Sequence, residues 1–284
     1  MSDPEFWPAP MEGIFMECFI LSANELELAD RWMTSFFRLS DTLPKEKVCR
    51  EFLRPYASSG LPVCVQLMGR DPELTAAGAL RMLEAGAASV DLNFGCPVPR
   101  VVKGGAGGAL LRERELMYRI TAKTVGSAGK EKVSVKFRCG FDSPGELEET
   151  AGALLDAGAG KLFFHHRTVK ELYAPVPAPE RAARFRRLLD LARGTPVILN
   201  GDFTFEEAAS APERSGCAGV MLGRNFLRSP GILRRLRGLP DCSPELFFHT
   251  LVRNGLGGEA LKGMKRWIFG AWDFPVPPEG LHGQ

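Results

Sequence analysis

Three segments of this chain end alike. Ala85-Gly86-Ala87, Ala157-Gly158-Ala159 and Ser215-Gly216-Cys217 each close a stretch with helical periodicity, and a short apolar run follows each within a few residues. A glycine past the last turn supplies the left-handed backbone that stops a helix, and a continuous apolar run is what a strand buried on both faces requires. Helix and buried strand alternating in this way means parallel β/α units. The cadence predicts strands over 61–66, 87–93, 133–138, 159–165, 196–202 and 218–224, with helices over 72–85, 113–125, 144–157, 179–192 and 205–214. Upstream, 7–13 reads as an opening strand broken by proline, followed by a helical stretch through Phe15, Phe19 and Ile20. Residues 31–39 read as a second strand, and 40–60 as a polar loop or helix. Counting both N-terminal candidates gives eight strands in about 230 residues, the size of a TIM (β/α)8 barrel. An open doubly wound sheet is the alternative, disfavoured because no GxGxxG follows the first strand.

At 284 residues, 45% hydrophobic and 25% charged, the chain can bury one barrel-sized core plus a small appendage. The expected division is a barrel over 7–240 and a short helical tail over 241–284, with helices at 247–253 and 259–270. Residues 1–6 are either native or an added leader and are set aside from the fold argument. The sequence has neither a secretory leader nor an apolar run of the roughly 18 residues needed to span a bilayer, which predicts a soluble, cytoplasmic protein; a monomer is expected. The seven cysteines form no CxxC pair and no Cys/His cluster with metal spacing, so reduced thiols and no metal site are expected. A net charge of +2 is too mild to mark a nucleic-acid binder. Arginines nevertheless crowd at Arg181, Arg184, Arg186 and Arg187 and again at Arg228, Arg234, Arg235 and Arg237, as solvated helix faces or as phosphate contacts.

The strand over 87–93 runs into Asn93-Phe94-Gly95-Cys96-Pro97. A thiol between a glycine that permits close backbone approach and a proline that fixes the turn is held by its backbone, as a reactive group must be; a small buried Cys in a tight turn is the alternative. In a barrel, Gln66, Asn93, Lys136, His165, Asn200 and Arg224 all close strands at the same end, where such barrels carry their active sites. Lys136 and Arg138, two apart on one strand, share a face and require an anion, which is either Asp91 on the neighbouring strand or a ligand. Asn200-Gly201-Asp202 and Gly223-Arg224 are glycine-containing turns after the last two strands, a place where barrels bind phosphate. A phosphate there with a lysine reaching a ring's polar edge is how flavin mononucleotide (FMN) would sit.

Ala9-Pro10-Met11-Glu12-Gly13, Val65-Gln66-Leu67-Met68-Gly69, Asp91-Leu92-Asn93-Phe94-Gly95-Cys96-Pro97, Gly107-Gly108-Ala109-Leu110-Leu111, Val135-Lys136-Phe137-Arg138, His165-His166-Arg167-Thr168, Asn200-Gly201-Asp202 and Met221-Leu222-Gly223-Arg224 occur in this order. Together they resemble the tRNA-dihydrouridine synthases over roughly residues 8–240, and Glu12 with the segment from Trp32 to Pro44 is most similar to the bacterial C-type branch. The resemblance implies an FMN-dependent reductase in which NADPH or NADH reduces the flavin and the flavin reduces a uridine of tRNA. By motif position Ala9, Pro10, Met11, Gln66, Lys136, His165, Asn200, Gly201, Asp202, Gly223 and Arg224 would hold FMN, Asn93, Arg138 and Arg167 would place the uridine, and Cys96 would give the proton to C5. Three departures stand out: His166 replaces the usual glycine, no tryptophan follows Tyr173 at the usual distance, and Ser35 stands where a glutamate is usual. About 40 residues follow the barrel, where the family carries a tRNA-gripping helical bundle. A flavin barrel acting on a small pyrimidine or enone, and a non-catalytic flavin- or RNA-binding relative, are the competing expectations.

Overall fold

The computed structural model describes residues 3–57, 59–192 and 194–270. Within them lie nine strands: β1 (Glu5–Pro8), β2 (Trp32–Met33), β3 (Phe37–Arg38), β4 (Val63–Met68), β5 (Ser89–Phe94), β6 (Val133–Arg138), β7 (Lys161–His165), β8 (Val197–Asn200) and β9 (Gly219–Leu222). Every pairing is parallel, in the order β1-β9-β8-β7-β6-β5-β4-β2, with β3 also on β4. β1 and β2 come into contact across the remaining seam, so the sheet is a nearly closed barrel. The helices are α1 (Glu17–Glu25), α2 (Glu46–Ala57), α3 (Pro72–Glu84), α4 (Pro99–Lys103), α5 (Arg114–Ala128), α6 (Leu147–Asp156), α7 (Ala178–Ala192), α8 (Phe205–Ser215), α9 (Arg224–Arg228), α10 (Ile232–Leu236), α11 (Pro244–Arg253) and α12 (Gly258–Phe269). None of them is long and apolar enough to cross a membrane.

The expected strand over 31–39 is two short strands. At the break the Thr34 hydroxyl, in place of a main-chain carbonyl, accepts from Gln66 N–H at 3.1 Å, and pairing resumes at Phe37. The opening strand begins two residues earlier than expected. Glu5 and Phe6, set aside in the sequence, pair with Gly219 and Val220, and the strand ends before Pro10, which has no N–H to continue it. Helix α2 occupies the segment left between loop and helix. Local chemistry explains the helix ends: Asp71 caps α3 on Leu74 N–H at 2.7 Å, Thr204 and Glu207 form a capping box on α8, and Gly86, Gly158 and Gly216 have φ of +112°, +85° and +73°.

Alternate strand residues face outward and inward. Outward, Val65, Leu67, Val90, Leu92, Val135, Phe137, Leu162, Phe164, Val197 and Leu199 join the core beneath the helices. Inward, Trp7, Met33, Cys64, Phe163, Ile198 and Met221 form a separate apolar cluster, with Trp7 edge-on to Phe163 at 5.1 Å. The N-terminal end of the barrel is closed by Glu5, which pairs with Lys161 at 2.7 Å and Arg31 at 3.2 Å. The apolar cluster therefore separates this ion-paired end from the polar inward residues at the C-terminal ends of the strands. Phe247, Leu251, Met264, Trp267 and Ile268 of α11 and α12 belong to the same core as the barrel helices; Phe247 meets Phe19 of α1 at 5.2 Å. Residues 271–284 of the expected tail lie outside the described residues.

At Gly219 an added Cβ would sit 1.9 Å from the Glu5 carbonyl oxygen, because β9 lies paired against the start of β1 with no room between the backbones. Gly219→Ala should cost about 1–3 kcal/mol. At Gly152, inside α6, nothing lies within 4 Å of the added carbon. Gly152→Ala should stabilise by about 0.5–1 kcal/mol through helix propensity. Denaturant midpoints of the two variants should move in opposite directions, the first checking the close β1–β9 pairing and the second the open face of α6.

Candidate active site

The C-terminal ends of the strands bring the inward polar residues into one layer. Register places Gln66 beside Asp91, Asn93 beside Lys136, and His165 beside Asn200. Gln66 Oε1 accepts from Asn93 Nδ2 at 2.7 Å, and Lys136 Nζ donates to Asn200 Oδ1 at 2.9 Å. Asn200 Nδ2 donates to the Met221 carbonyl at 2.9 Å. Ala9 and Met11, beyond β1, border Gly223: a Cβ there would lie 3.6 Å from Ala9 Cβ and 4.0 Å from Met11 Sδ. Arg224 is the first residue of α9, and its guanidinium pairs with Asp202.

Cys96 sits on the turn after β5, half-buried. Asn93 Oδ1 accepts from the N–H groups of Gly95 and Cys96 at 3.1 and 3.0 Å, and the Cys96 carbonyl accepts from Gly108 N–H at 3.0 Å. The close approach expected at Gly95 falls elsewhere. A Cβ on Gly95 would meet nothing nearer than 3.5 Å, whereas one on Gly107 would lie 2.9 Å from Cys96 Cβ and one on Gly108 2.9 Å from Cys96 O. The 3-10 turn over Gly107–Arg112 thus backs the thiol turn from behind, and Gly107 also has φ +57°. Burial pushes the Cys96 thiol above its ordinary pKa, outweighing the Arg138 and Lys136 charges nearby. It is protonated at neutral pH and can act as an acid but not as a standing nucleophile.

Arg138 is 4% exposed and donates to three carbonyls, of Gly95 at 2.8 Å, Thr168 at 2.9 Å and Leu172 at 2.7 Å. It fastens the thiol turn to the loop after β7 and holds Leu172 at its left-handed φ of +50°. The ring of Tyr173 lies between the Arg138 and Arg224 guanidinium groups, 5.4 and 5.5 Å from them. Arg167 donates to the Ala174 carbonyl at 2.6 Å and to Asp202 Oδ2 at 2.7 Å, but its buried Nη1 has no partner among the described residues. Burial would raise the Asp202 carboxyl; Arg224 and Arg167 outweigh it and hold the group below the usual carboxylate range. Asp202 is therefore the anion between two arginines. His165 is kept neutral, first by burial and then by Arg138. Its ring stacks on His166 at 5.2 Å, and His166 fits because residue 201 is glycine, where a Cβ would come within 2.7 Å of the His166 ring.

The anion required by Lys136 and Arg138 is not supplied by direct pairing with Asp91. Asp91 is bound to Gln66 and Ser134 one layer below, Lys136 to Asn200, and Arg138 to carbonyls. The arginine clusters are largely internal braces. Arg181 holds the Asp202 carbonyl, Arg184 the His166 carbonyl and Glu171, Arg187 Glu148, Arg234 the Leu26 carbonyl and Arg237 the Glu27 carbonyl. Sequence reasoning did not find these roles, because no local spacing marks a guanidinium that caps a distant carbonyl.

Burial, together with the Arg138 charge, lowers the Lys136 ammonium from its ordinary 10.5 to about 8. Between those values the unfolded chain holds a proton that the folded one lacks, so this group's contribution to stability rises with pH across that window. In the ligand-free protein the stability difference between the parent and Lys136→Met should shift by roughly 1–3 kcal/mol in the parent's favour from about pH 7 to about pH 10.5. Denaturation curves across the range measure it, and a difference that does not change with pH would mean an unperturbed lysine.

Residues 8–245 match the family described as Dihydrouridine synthase (Dus). The tRNA-dihydrouridine(16) synthase of Haemophilus influenzae is 33% identical over 247 residues, covering 83% of this chain and 77% of that one. The protein of the same name from Pseudomonas putida is 35% identical over 232 residues, covering 79% and 70%. Among solved structures, the old yellow enzyme homologue of Zymomonas mobilis has a TM-score of 0.58 at 15% identity, covering 86% of this chain and 92% of that one. The old yellow enzyme of Trypanosoma cruzi has a TM-score of 0.59 at 12% identity, covering 89% and 93%. These two likenesses establish the TIM-barrel fold. The match over most of the chain establishes that this protein belongs to the dihydrouridine synthase family.

Proposed function

We propose that this chain reduces a uridine of tRNA to 5,6-dihydrouridine with FMN as cofactor and NADPH or NADH as electron source, and that Cys96 gives the proton to C5. The observation that carries the proposal is the Cys96 thiol, held protonated and braced on two sides at the mouth of a barrel lined by cations. The residues present fit a phosphate-bearing ring cofactor. Arg167 Nη1 is buried without a partner, and the Lys136 ammonium, with three donors, has a single hydrogen bond among the described residues, to Asn200. Ala9, Pro10, Met11, Gln66, Lys136, His165, Asn200, Gly201, Gly223 and Arg224 would hold FMN, with Asp202 orienting Arg224 for the phosphate. When bound, FMN supplies the hydride for C6 of the uracil ring.

The protein's own residues would do the rest. Lys136 and the neutral His165 offer donors to the electron-rich edge of a ring, and Asn93 offers an amide beside Cys96. Arg138 holds the loops through three of its five N–H donors, on the Gly95, Thr168 and Leu172 carbonyls, and the pair on Nη2 would help place the uridine. Arg167, tied to the Ala174 carbonyl and Asp202, would help place the uracil. Arg38, Arg100 and Lys103 are exposed on the rim near the Cys96 turn, and Lys265 is exposed on α12; these would meet the tRNA backbone. The name shared by the relatives points to uridine 16 as the target. A base stacked in folded RNA must be extruded to reach so deep a site.

Cys96→Ala should leave FMN content and its reduction by the nicotinamide unchanged, and slow reduction of uridine in tRNA by about 10²–10⁴. Stopped-flow measurement of the two half-reactions separates them. A parental rate of uridine reduction would make Cys96 a packing residue only.

A further inference from the structure

Asp91 stands at the head of a line of hydrogen bonds that ends on the Cys96 turn, and the function proposed above does not use it. It is wholly buried in β5 and faces the barrel interior between Gln66 of β4 and Ser134 of β6. Its Oδ1 accepts from the Ser134 hydroxyl at 2.8 Å and its Oδ2 from Gln66 Nε2 at 2.8 Å. With its nitrogen so directed, Gln66 turns Oε1 toward Asn93, which donates from Nδ2 at 2.7 Å. Asn93 is left with Oδ1 toward the turn, where it takes the N–H groups of Gly95 and Cys96. Each amide has a donor end and an acceptor end, so the direction of the whole line is set where it begins. If both amides were reversed, Asn93 would present NH2 to two N–H donors, and the turn would lose both bonds.

We propose that Asp91 is a positioning residue for the Cys96 thiol: as a buried acceptor it sets the direction of the Gln66 and Asn93 amides and through them holds the turn. The inference rests on Cys96 being the proton donor. What the line needs at position 91 is an acceptor, not a charge. Burial pushes the Asp91 carboxyl up to about 7, against the pull of Gln66, Ser134 and Lys136. Protonated or not, one oxygen can still accept from Gln66. An asparagine at 91 would do the same, with its NH2 toward Ser134, whose hydroxyl can turn to the Val90 carbonyl at 3.3 Å. A role through the charge facing Lys136 would be lost in that variant.

The test uses the flavin-loaded enzyme and two readouts: the half-reaction rates, and alkylation of Cys96 by iodoacetamide followed by peptide mass spectrometry, which needs no turnover. Asp91→Ala should alkylate several-fold faster at Cys96 and lose about tenfold or more in uridine reduction, a loss larger than any change in flavin content or in flavin reduction by the nicotinamide that follows from the turned Gln66 amide. Asp91→Val, closer in volume and equally without an acceptor, takes its place if the alanine variant does not fold. In a Cys96→Ala background the same substitution should cost nothing further, and Asp91→Asn should restore both readouts to near the parent. An Asn variant as impaired as Ala overturns the proposal in favour of charge, and a full additive loss in the Cys96→Ala background overturns it in favour of a role elsewhere. If Cys96→Ala alone keeps the parental rate, it is the assignment of Cys96 that fails; unchanged alkylation in the Ala and Val variants overturns the positioning line itself. If neither apolar variant folds, the Asn variant decides: parental readouts support the acceptor role and impaired ones overturn it.

Discussion

A closed parallel barrel sends every second strand residue into an interior that water does not freely enter, and each polar group placed there must find its partner inside. This protein meets that constraint by layering. Trp7, Phe163, Ile198 and Met221 fill the lower interior, so the polar residues above them have no solvent beneath and bond sideways, strand to strand. Asp91 to Gln66 to Asn93, and Lys136 to Asn200 to the Met221 carbonyl, are the two lines that result. The first ends at the mouth on the Cys96 turn, so satisfaction of the interior and orientation of the thiol come from the same hydrogen bonds.

The loops above the mouth are fixed by arginines used as carbonyl caps. Arg138 ties the turn after β5 to the loop after β7, Arg184 holds that loop from below through the His166 carbonyl and Glu171, and Arg167 joins it to Asp202 after β8. A guanidinium can serve several acceptors in fixed directions, which suits it to hold irregular backbone that no ladder supports. Arg38, Arg100 and Lys103 stay exposed on the rim, whereas in the arginine-rich helix α7 Arg181, Arg184 and Arg187 are tied to carboxylates and Arg186 is exposed.

The barrel was legible in the sequence because its signal is repeated: glycine-terminated helices and buried strands recur, and one weak instance is supported by the others. What escaped was local and unrepeated. The split at Thr34 depends on a hydroxyl replacing a ladder carbonyl, and a strand-like composition over 31–39 does not show it. Glu5 and Phe6 belong to a terminus whose sequence reads equally as native or as an added leader, and only their pairing with β9 places them in the barrel. The strand-end residues of the site, from Gln66 to Asn200, could be named because strand direction alone aligns them. The roles of Gly107 and Gly108 behind the thiol, of Arg138 as a clasp and of Asp91 as the head of a line arise from contacts between distant segments, which spacing does not encode.

The central claim is that this barrel delivers two hydrogens to a uridine within folded tRNA. Mass spectrometry of tRNA digests, from cells with and without the gene and from the same tRNA incubated with the purified protein, FMN and a reduced nicotinamide, tests it most directly. The account predicts dihydrouridine at one position that disappears with the gene and is restored in vitro, with free uridine unreacted. An unchanged dihydrouridine content on loss of the gene, together with reduction of the free pyrimidine by the protein, would contradict it.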